Sequence, residues 1–433
     1  MSPITQPTPF SVGIALDGAG WHPAAWREPD ARAEDLFTAP YWTELVQTAE
    51  AGGLDYVTIE DALSVPGTGA LSSSPASPRP DRVAGRLDAL LTATWAAPHT
   101  RAIGLIPTVT VTHTEPFHVA TALQTLDHVS EGRGGWHLRI SPEHAAAAAF
   151  GRRPAPSIET ARVIAGEPDP GLDALLDEAA EAAEVARGLW ASWDADAEIR
   201  DAATGRFLDR DRVHHINFVG EHFSVVGPSI VPRSPQGHLP ITVLSHSPRV
   251  HELAARAADV VFITPESESV RAGASRGASV AELVAQVRAA EQTVDRQARG
   301  LAPLRIVADL VITLDADSET PGETGAARLE RLNDLAGETL ESDARIVAGS
   351  AAEIIELIAE WHAAGVDGVR LRPLTLPGDL GRIVEDLLPA LRARGLAAAH
   401  AEAAAAPQPQ ALRERFGLAP VPSRTPRTEE TAA

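Results

Sequence analysis

Eight short runs rich in β-branched residues punctuate the chain, and between them lie longer Ala/Leu/Arg segments with apolar positions at helical spacing. The runs are SVGIALD (11–17), LDYVTIE (54–60), AIGLIPT (102–108), GWHLRIS (135–141), PITVLS (240–245), ADVVFIT (258–264), RIVADLVITL (305–314) and DGVRLRP (367–373). Strands that alternate with helices pair in parallel, because each must be reached by a crossover long enough to hold a helix. Eight such strands close a sheet on itself, so the expected fold class is α/β, a (β/α)8 barrel.

Helices are expected over 40–52, 85–98, 116–130, 172–193, 248–257, 278–299, 351–365 and 379–394. Two connections exceed a bare loop: 194–239, and 315–350, which holds a further helix; long excursions from a barrel carry lids or interfaces. The Ser/Pro/Gly-rich stretch 64–83 reads as a mobile loop over the barrel mouth. A single barrel over 1–398 with insertions at 194–239 and 315–350 follows. The tail, 399–433, is Ala/Pro-rich, then polar, and expected to fray apart from a short helix at 410–416.

With 433 residues and 44% hydrophobic content the chain can bury a large core, and no apolar stretch reaches the ~20 residues of a membrane span. The start, MSPITQPTPF, lacks a charged region followed by an apolar one, so a cytoplasmic location is expected. A formal charge of −22 without any basic run repels phosphate backbones and anionic lipid, which argues against nucleic-acid and membrane partners. There is no Cys, and all 37 basic side chains are Arg. Disulfides, thiolate nucleophiles, Cys-ligated zinc and ordinary iron–sulfur clusters are thereby excluded. So are Schiff bases, a pyridoxal-phosphate anchor and a Walker A loop. Chemistry is left to Asp, Glu, His, Ser, Thr, Arg and backbone dipoles, or to a bound organic cofactor.

In a (β/α)8 barrel that chemistry sits at the carboxyl ends of the strands. The residues there are polar: Asp17, Asp61, Thr108, Thr110, His137, Arg139, the triplet Ser245-His246-Ser247, Thr264, Arg370 and Arg372. Each alone has an ordinary structural use, and the functional reading rests on their convergence. Ser247-Pro248 reads as a helix start, Ser at the N-cap and Pro at N1, which aims free amides and a positive dipole end at the mouth. With Ser245, His246 and Arg249 beside it this outlines a phosphate pocket that needs no lysine; a plain capped helix is the alternative. His22, beside Trp21 and Trp26, is placed either to serve a ligand or to hold structure.

Other motifs fail on context. The G-x-S-x-G match at 273–277 follows PESESVRA rather than a strand. His251-Glu252 has Ala255 where a second zinc histidine would stand, and His214-His215, adjacent near a strand, point to opposite faces. No metal site is expected. Arg152-Arg153 reads as solvated surface, with a place near a phosphate as the alternative.

Several unusual peptides then recur in family order. GWHPAAWREP (20–29), YWTELVQTAEAGGLDYVTIEDAL (41–63), IGLIPTVTVTHTEPFHVATALQTLDHVSEGRGGWHLRIS (103–141), GEHFSVVGPSIVPRSPQGHLPI (220–241), HELAARAADVVF (251–262), GVDGVRLRPLTLPG (365–378) and LRERFGLAP (412–420) make the chain resemble the bacterial-luciferase-like flavin-dependent monooxygenases. The resemblance is to the nitrilotriacetate, alkane and dibenzothiophene-sulfone monooxygenase branch. It implies a homodimeric barrel that takes reduced FMN from a separate flavin reductase and uses O2 to oxygenate a small organic substrate. It places Asp61 and Thr108 on flavin-contacting positions, His137 where the family usually has Asn, and Ser247 on one of two serines that hold the FMN phosphate, with Ser245 and His246 in the same run. His22 and His137 are the catalytic candidates.

The chain departs from the pattern at the phosphate. A Gly-Ser-Ser run is Ser245-His246-Ser247, a later Gly is Val250, and Leu172, Leu175 and Leu176 stand where the family has His and Arg-Tyr ligands. The only tyrosines, Tyr41 and Tyr56, lie in the first unit. Either His246, Arg249 or an arginine within 152–162 replaces the lost ligands, or flavin is held weakly, exchanged for a deazaflavin, or abandoned. Three functions follow: an FMNH2-dependent monooxygenase, a deazaflavin-dependent hydride-transfer oxidoreductase, or a non-catalytic paralogue. No segment spells out a substrate.

Overall fold

The computed structural model describes residues 10–65, 78–164, 167–267, 277–316, 322–398 and 410–422. Its strands are β1 (Ser11–Leu16), β2 (Tyr56–Ile59), β3 (Gly104–Thr110), β4 (Trp136–Arg139), β5 (Glu198–Asp201), β6 (Arg206–Leu208), β7 (Phe218–Val219), β8 (Ser224–Val225), β9 (Ile241–Ser245), β10 (Val260–Ile263), β11 (Arg305–Leu314), β12 (Arg345–Gly349) and β13 (Gly368–Pro373). Hydrogen bonding runs β10–β9–β4–β3–β2–β1–β13–β11, and β11 pairs back onto β10, so eight parallel strands close a barrel. Each of the eight β-branched runs supplies one of them.

The surrounding helices are α1 (Ala39–Gly52), α2 (Ala89–Ala96), α3 (Pro116–Val129), α4 (His144–Phe150), α5 (Thr160–Ile164), α6 (Pro170–Trp190), α7 (Pro248–Ala257), α8 (Val280–Thr293), α9 (Gly325–Ala336) and α10 (Ala351–Ala363). A last helical stretch runs Gly378–Arg382, a π turn at Ile383–Leu387, and Leu388–Ala393. Starts are set by caps. Asp88 accepts from the Leu91 amide and delays α2, and a Ser279/Glu282 capping box begins α8.

The 194–239 excursion folds into two small antiparallel hairpins, β5–β6 and β7–β8. The 315–350 excursion holds α9 and also a ninth parallel strand that sequence periodicity does not reveal. The reason lies in β11, which is ten residues long. Its first half pairs with β10, and β12 pairs with Leu310–Leu314, covering an edge that would otherwise present unpaired backbone groups. Most of the 64–83 loop, most of the 273–277 motif and much of the tail lie outside the described residues.

Strand alternation sorts two cores. Outward side chains pack against the helices in the larger one, which includes Trp136, Trp190 and Trp361. Inside the barrel Tyr56, Ile106, Val260, Phe262 and Val307 form a second, and its floor is supplied by Leu412, Phe416 and Leu418. Gly13 makes room for Tyr56, since a Cβ there would lie 2.2 Å from the ring. The short helix Leu412–Arg415 is thus part of the barrel. Its start is tied down by the Leu412 amide on the Gly132 carbonyl at 3.0 Å, and Phe416 lies 5.0 Å from the Tyr56 ring. Phe416→Ala should therefore cost about 3–5 kcal/mol. Urea unfolding should show a lower midpoint with an unchanged slope, and a midpoint like that of wild type would mean the floor is dispensable.

Candidate active site

The inward-facing positions one layer above the apolar floor are polar. Arg370 on β13 and Asp309 on β11 are register partners, and neither is exposed at all. Arg370 grips the carboxylate with two arms, Nε to Oδ1 at 2.8 Å and Nη2 to Oδ2 at 2.5 Å, and reaches the Thr58 hydroxyl at 3.3 Å with the third. Arg372, two residues further along the same face, also donates to Asp309 and bonds Asp343 Oδ1 at 2.6 Å. Each guanidinium lies over an aromatic ring: Arg370 is 4.0 Å from the centre of Phe262, and Arg372 is 4.6 Å from that of Trp21. Burial pushes the Asp309 carboxyl up, but Arg370 and Arg372 outweigh it and hold it below its ordinary value. Asp343 is depressed further, burial being overcome by Arg372 and His246. Glu60 Oε1 lies 3.7 Å from Arg370 and Glu60 Oε2 3.8 Å from Arg139, so three cations and three anions balance here.

Beside it stand two of the expected ligands. Thr108 and His137 are register partners on β3 and β4, and His137 in turn faces Thr242 on β9. His137 Nδ1 lies 2.8 Å from the Thr242 hydroxyl, whose own weak donation goes to the Trp136 carbonyl at 3.5 Å. The contact engages Nδ1 and leaves Nε2 as the ring's other polar atom. Burial, reinforced by Arg370, keeps the ring neutral far below its ordinary pKa. The Thr108 hydroxyl is wholly buried and has no hydrogen-bond partner among the described residues, and the buried indole nitrogen of Trp21 likewise has none.

The other candidates are engaged by the protein itself. Asp61 accepts from the Ala89 amide at 3.0 Å, and its carbonyl takes Arg139 at 2.8 Å; burial raises its pKa. His22 Nδ1 accepts from the Ala24 amide at 3.0 Å and Nε2 lies 3.1 Å from Asn333 Oδ1, so the ring is locked as a loop brace. His214 and His215 take separate partners, Asp194 and the Gly227 carbonyl.

At the expected phosphate pocket Ser247 occupies the N-cap position of α7 with Pro248 following, as its sequence suggests, but its hydroxyl makes no capping bond among the described residues. Ser245 Oγ is 2.6 Å from His251 Nδ1. His246 sits between Thr264 on Nδ1 and Asp343 on Nε2, each at 3.1 Å. Arg249 is held by Asp173 at 2.8 Å and Glu252 at 2.6 Å. In the 152–162 segment Arg152 pairs with Glu115, Arg153 with Glu178, and Arg162 with Glu167. Leu175 and Leu176 are buried on α6. At the expected phosphate pocket the described cations are thus already matched by carboxylates, while the Ser247 hydroxyl makes no capping bond and His251 Nε2 is buried without a partner among the described residues.

Asp309, Thr242 and Asp343 escape a reading by strand ends. Asp309 carries a signal, an acid in the middle of the apolar run RIVADLVITL, opposite an arginine-bearing run. Asp343 carries none, since it reaches the layer from the excursion.

Comparison with known proteins agrees with this architecture. The model of a family described as luciferase-like monooxygenase matches residues 19–368. N-acetyl-S-(2-succino)cysteine monooxygenase of Bacillus subtilis (strain 168) is 28% identical over 94% of this chain and 96% of its own length. Nitrilotriacetate monooxygenase component A of Aminobacter aminovorans is 28% identical over 95% and 96%. A crystal structure of riboflavin lyase with modified FMN and riboflavin has a TM-score of 0.73 at 24% identity, over 94% of this chain and 96% of that one.

Two measurements test the interior layer. Asp309→Asn leaves both arginines short of a buried counter-charge and should destabilise by roughly 3–5 kcal/mol, read as a lower unfolding midpoint. His137 stays neutral when folded but takes a proton near pH 6.5 when unfolded. As pH falls below about 6.5 the unfolded chain gains a proton the native one lacks, and stability drops by up to ~1.4 kcal/mol per pH unit. His137→Asn should remove about one proton from that slope; an unchanged slope would place His137 in water.

Proposed function

The chain belongs to the luciferase-like monooxygenase family, and from that premise we propose that it is a flavin-dependent monooxygenase acting on a small organic substrate. The observation that carries the proposal is the Thr108 hydroxyl, wholly buried at the carboxyl half of a barrel strand with nothing among the described residues to bond. A buried polar atom left unpaired costs about 1–3 kcal/mol, a cost that a ligand's polar edge would relieve. The chemistry of an isoalloxazine of the FMN type, with polar ring atoms that both donate and accept, would suit Thr108 and its register partner His137, which are the residues that would hold it. Reduced flavin, when bound, supplies the electrons that activate O2 for transfer of one oxygen atom to the substrate.

The residues do the rest. The ion-paired Arg370–Asp309–Arg372–Asp343 layer would give a bound ring system a rigid, largely buried support. His137, uncharged and engaged through Nδ1, would present Nε2 to it, while His22 braces the loop after β1. Nitrilotriacetate monooxygenase component A is named as one component of a system, which supports a separate reductase as the source of reduced flavin. We extend the proposal to a homodimer, supported by the exposure of Leu91 and Trp95 on α2. No helix among the described residues is long and apolar enough to cross a membrane, and a cytoplasmic location is part of the proposal.

Oxygen uptake should require flavin and an added reductase, with NAD(P)H alone giving none. Thr108→Val removes an orphaned hydroxyl, so stability should hold or rise while reduced-flavin affinity falls roughly tenfold. Unchanged affinity in that variant would remove Thr108 from the site.

A further inference from the structure

The phosphate end of the site carries a consequence for the cofactor. We infer that this chain grips flavin by its ring system, with no gain from the phosphate, so that riboflavin and FMN bind with Kd values within about threefold of each other or riboflavin binds tighter. The inference rests on the flavin reading above and narrows it.

A phosphate monoester brings a charge of about −1.5 to −2 near neutral pH and needs donors or cations free to meet it. At the start of α7 the nearest cation is Arg249. Its Nε and Nη2 are on Asp173 at 2.9 and 2.8 Å, and its Nη1 is on Glu252 at 2.6 Å. One guanidinium thus serves two carboxylates, leaving the cluster negative. Both ring nitrogens of His246 are engaged, and the Nε2 partner, Asp343, is a third carboxylate. Among the described residues around this helix start, no cation is left without an anion. A phosphate there would have to displace Asp173 or Glu252 from Arg249 and then sit beside the displaced group. The α7 dipole favours an anion by less than one full charge, and the overall charge of −22 opposes it. What remains at this helix start is neutral, the Ser247 hydroxyl that makes no capping bond and the first α7 amides, so the phosphate's charge meets no free cation among the described residues. Thr108 Oγ1, by contrast, is buried beside His137 with no partner among the described residues.

The test is anaerobic calorimetric titration of the full chain with dithionite-reduced riboflavin and with dithionite-reduced FMN, at low ionic strength. A riboflavin Kd below that of FMN, or within threefold above it, is expected. A gripped phosphate ordinarily gains roughly tenfold or more per charge-assisted hydrogen bond, so FMN binding more than threefold tighter overturns the inference and leaves the flavin reading standing. Binding of neither overturns both. The double variant Asp173→Asn/Glu252→Gln frees Arg249. It should raise FMN affinity about tenfold with riboflavin unchanged, and the gain should vanish near 1 M salt, where screening acts over ~3 Å. An unaltered FMN-to-riboflavin ratio in that variant also overturns the inference.

Discussion

Two guanidinium groups on one strand, both facing the inside of a closed barrel, must find anions there or the barrel cannot form. Asp309 on the neighbouring strand meets both Arg370 and Arg372, and Asp343 takes the remaining arm of Arg372. Removing a charge from water costs several kcal/mol per ion, which the carboxylates on both Nη groups of Arg372 and the two-armed grip of Arg370 offset, although Arg372 Nε is buried without a partner among the described residues. The arrangement constrains its surroundings. Asp343 lies just before β12, so the 315–350 excursion is bound into the barrel by a charge as well as by backbone pairing. Phe262 and Trp21 are fixed as faces beneath the two cations. His137 remains neutral because positive groups and burial together disfavour its protonation.

Barrel strands were legible because β-branched runs with period 2 and helices with period 3.6 are local properties. RIVADLVITL spans β11 residue for residue, and PRVHELAARA spans α7. What stayed hidden is non-local. β12 exists because a long neighbour has an open edge, and no pattern within ARIVAGS announces that. Thr108 and His137 do come together as register partners, but His137, expected at the carboxyl end of its strand, is the second residue of β4. His22 and the serine triplet illustrate the opposite limit: their positions are readable, but whether a side chain is free depends on Asn333, His251, Thr264 and Asp343, which are distant in the chain or carry no motif.

The site is therefore uneven along its length. Beside His137 the Thr108 hydroxyl is buried without a partner among the described residues. At the start of α7, carboxylates saturate every described cation. Family membership speaks for the fold, whereas the pairing of charges at the two ends is this chain's own.

The floor of the barrel has a bearing on biosynthesis. Leu412 and Phe416 follow all eight barrel strands in the chain, so a ribosome finishes the staves of the cask before it makes the bung. Until then Tyr56, Phe262 and the arginine layer above them face solvent from below. The order of translation thus leaves the most charge-sensitive part of the molecule unsealed longest, and the closing step is a short helix docking from the very end of the folded body.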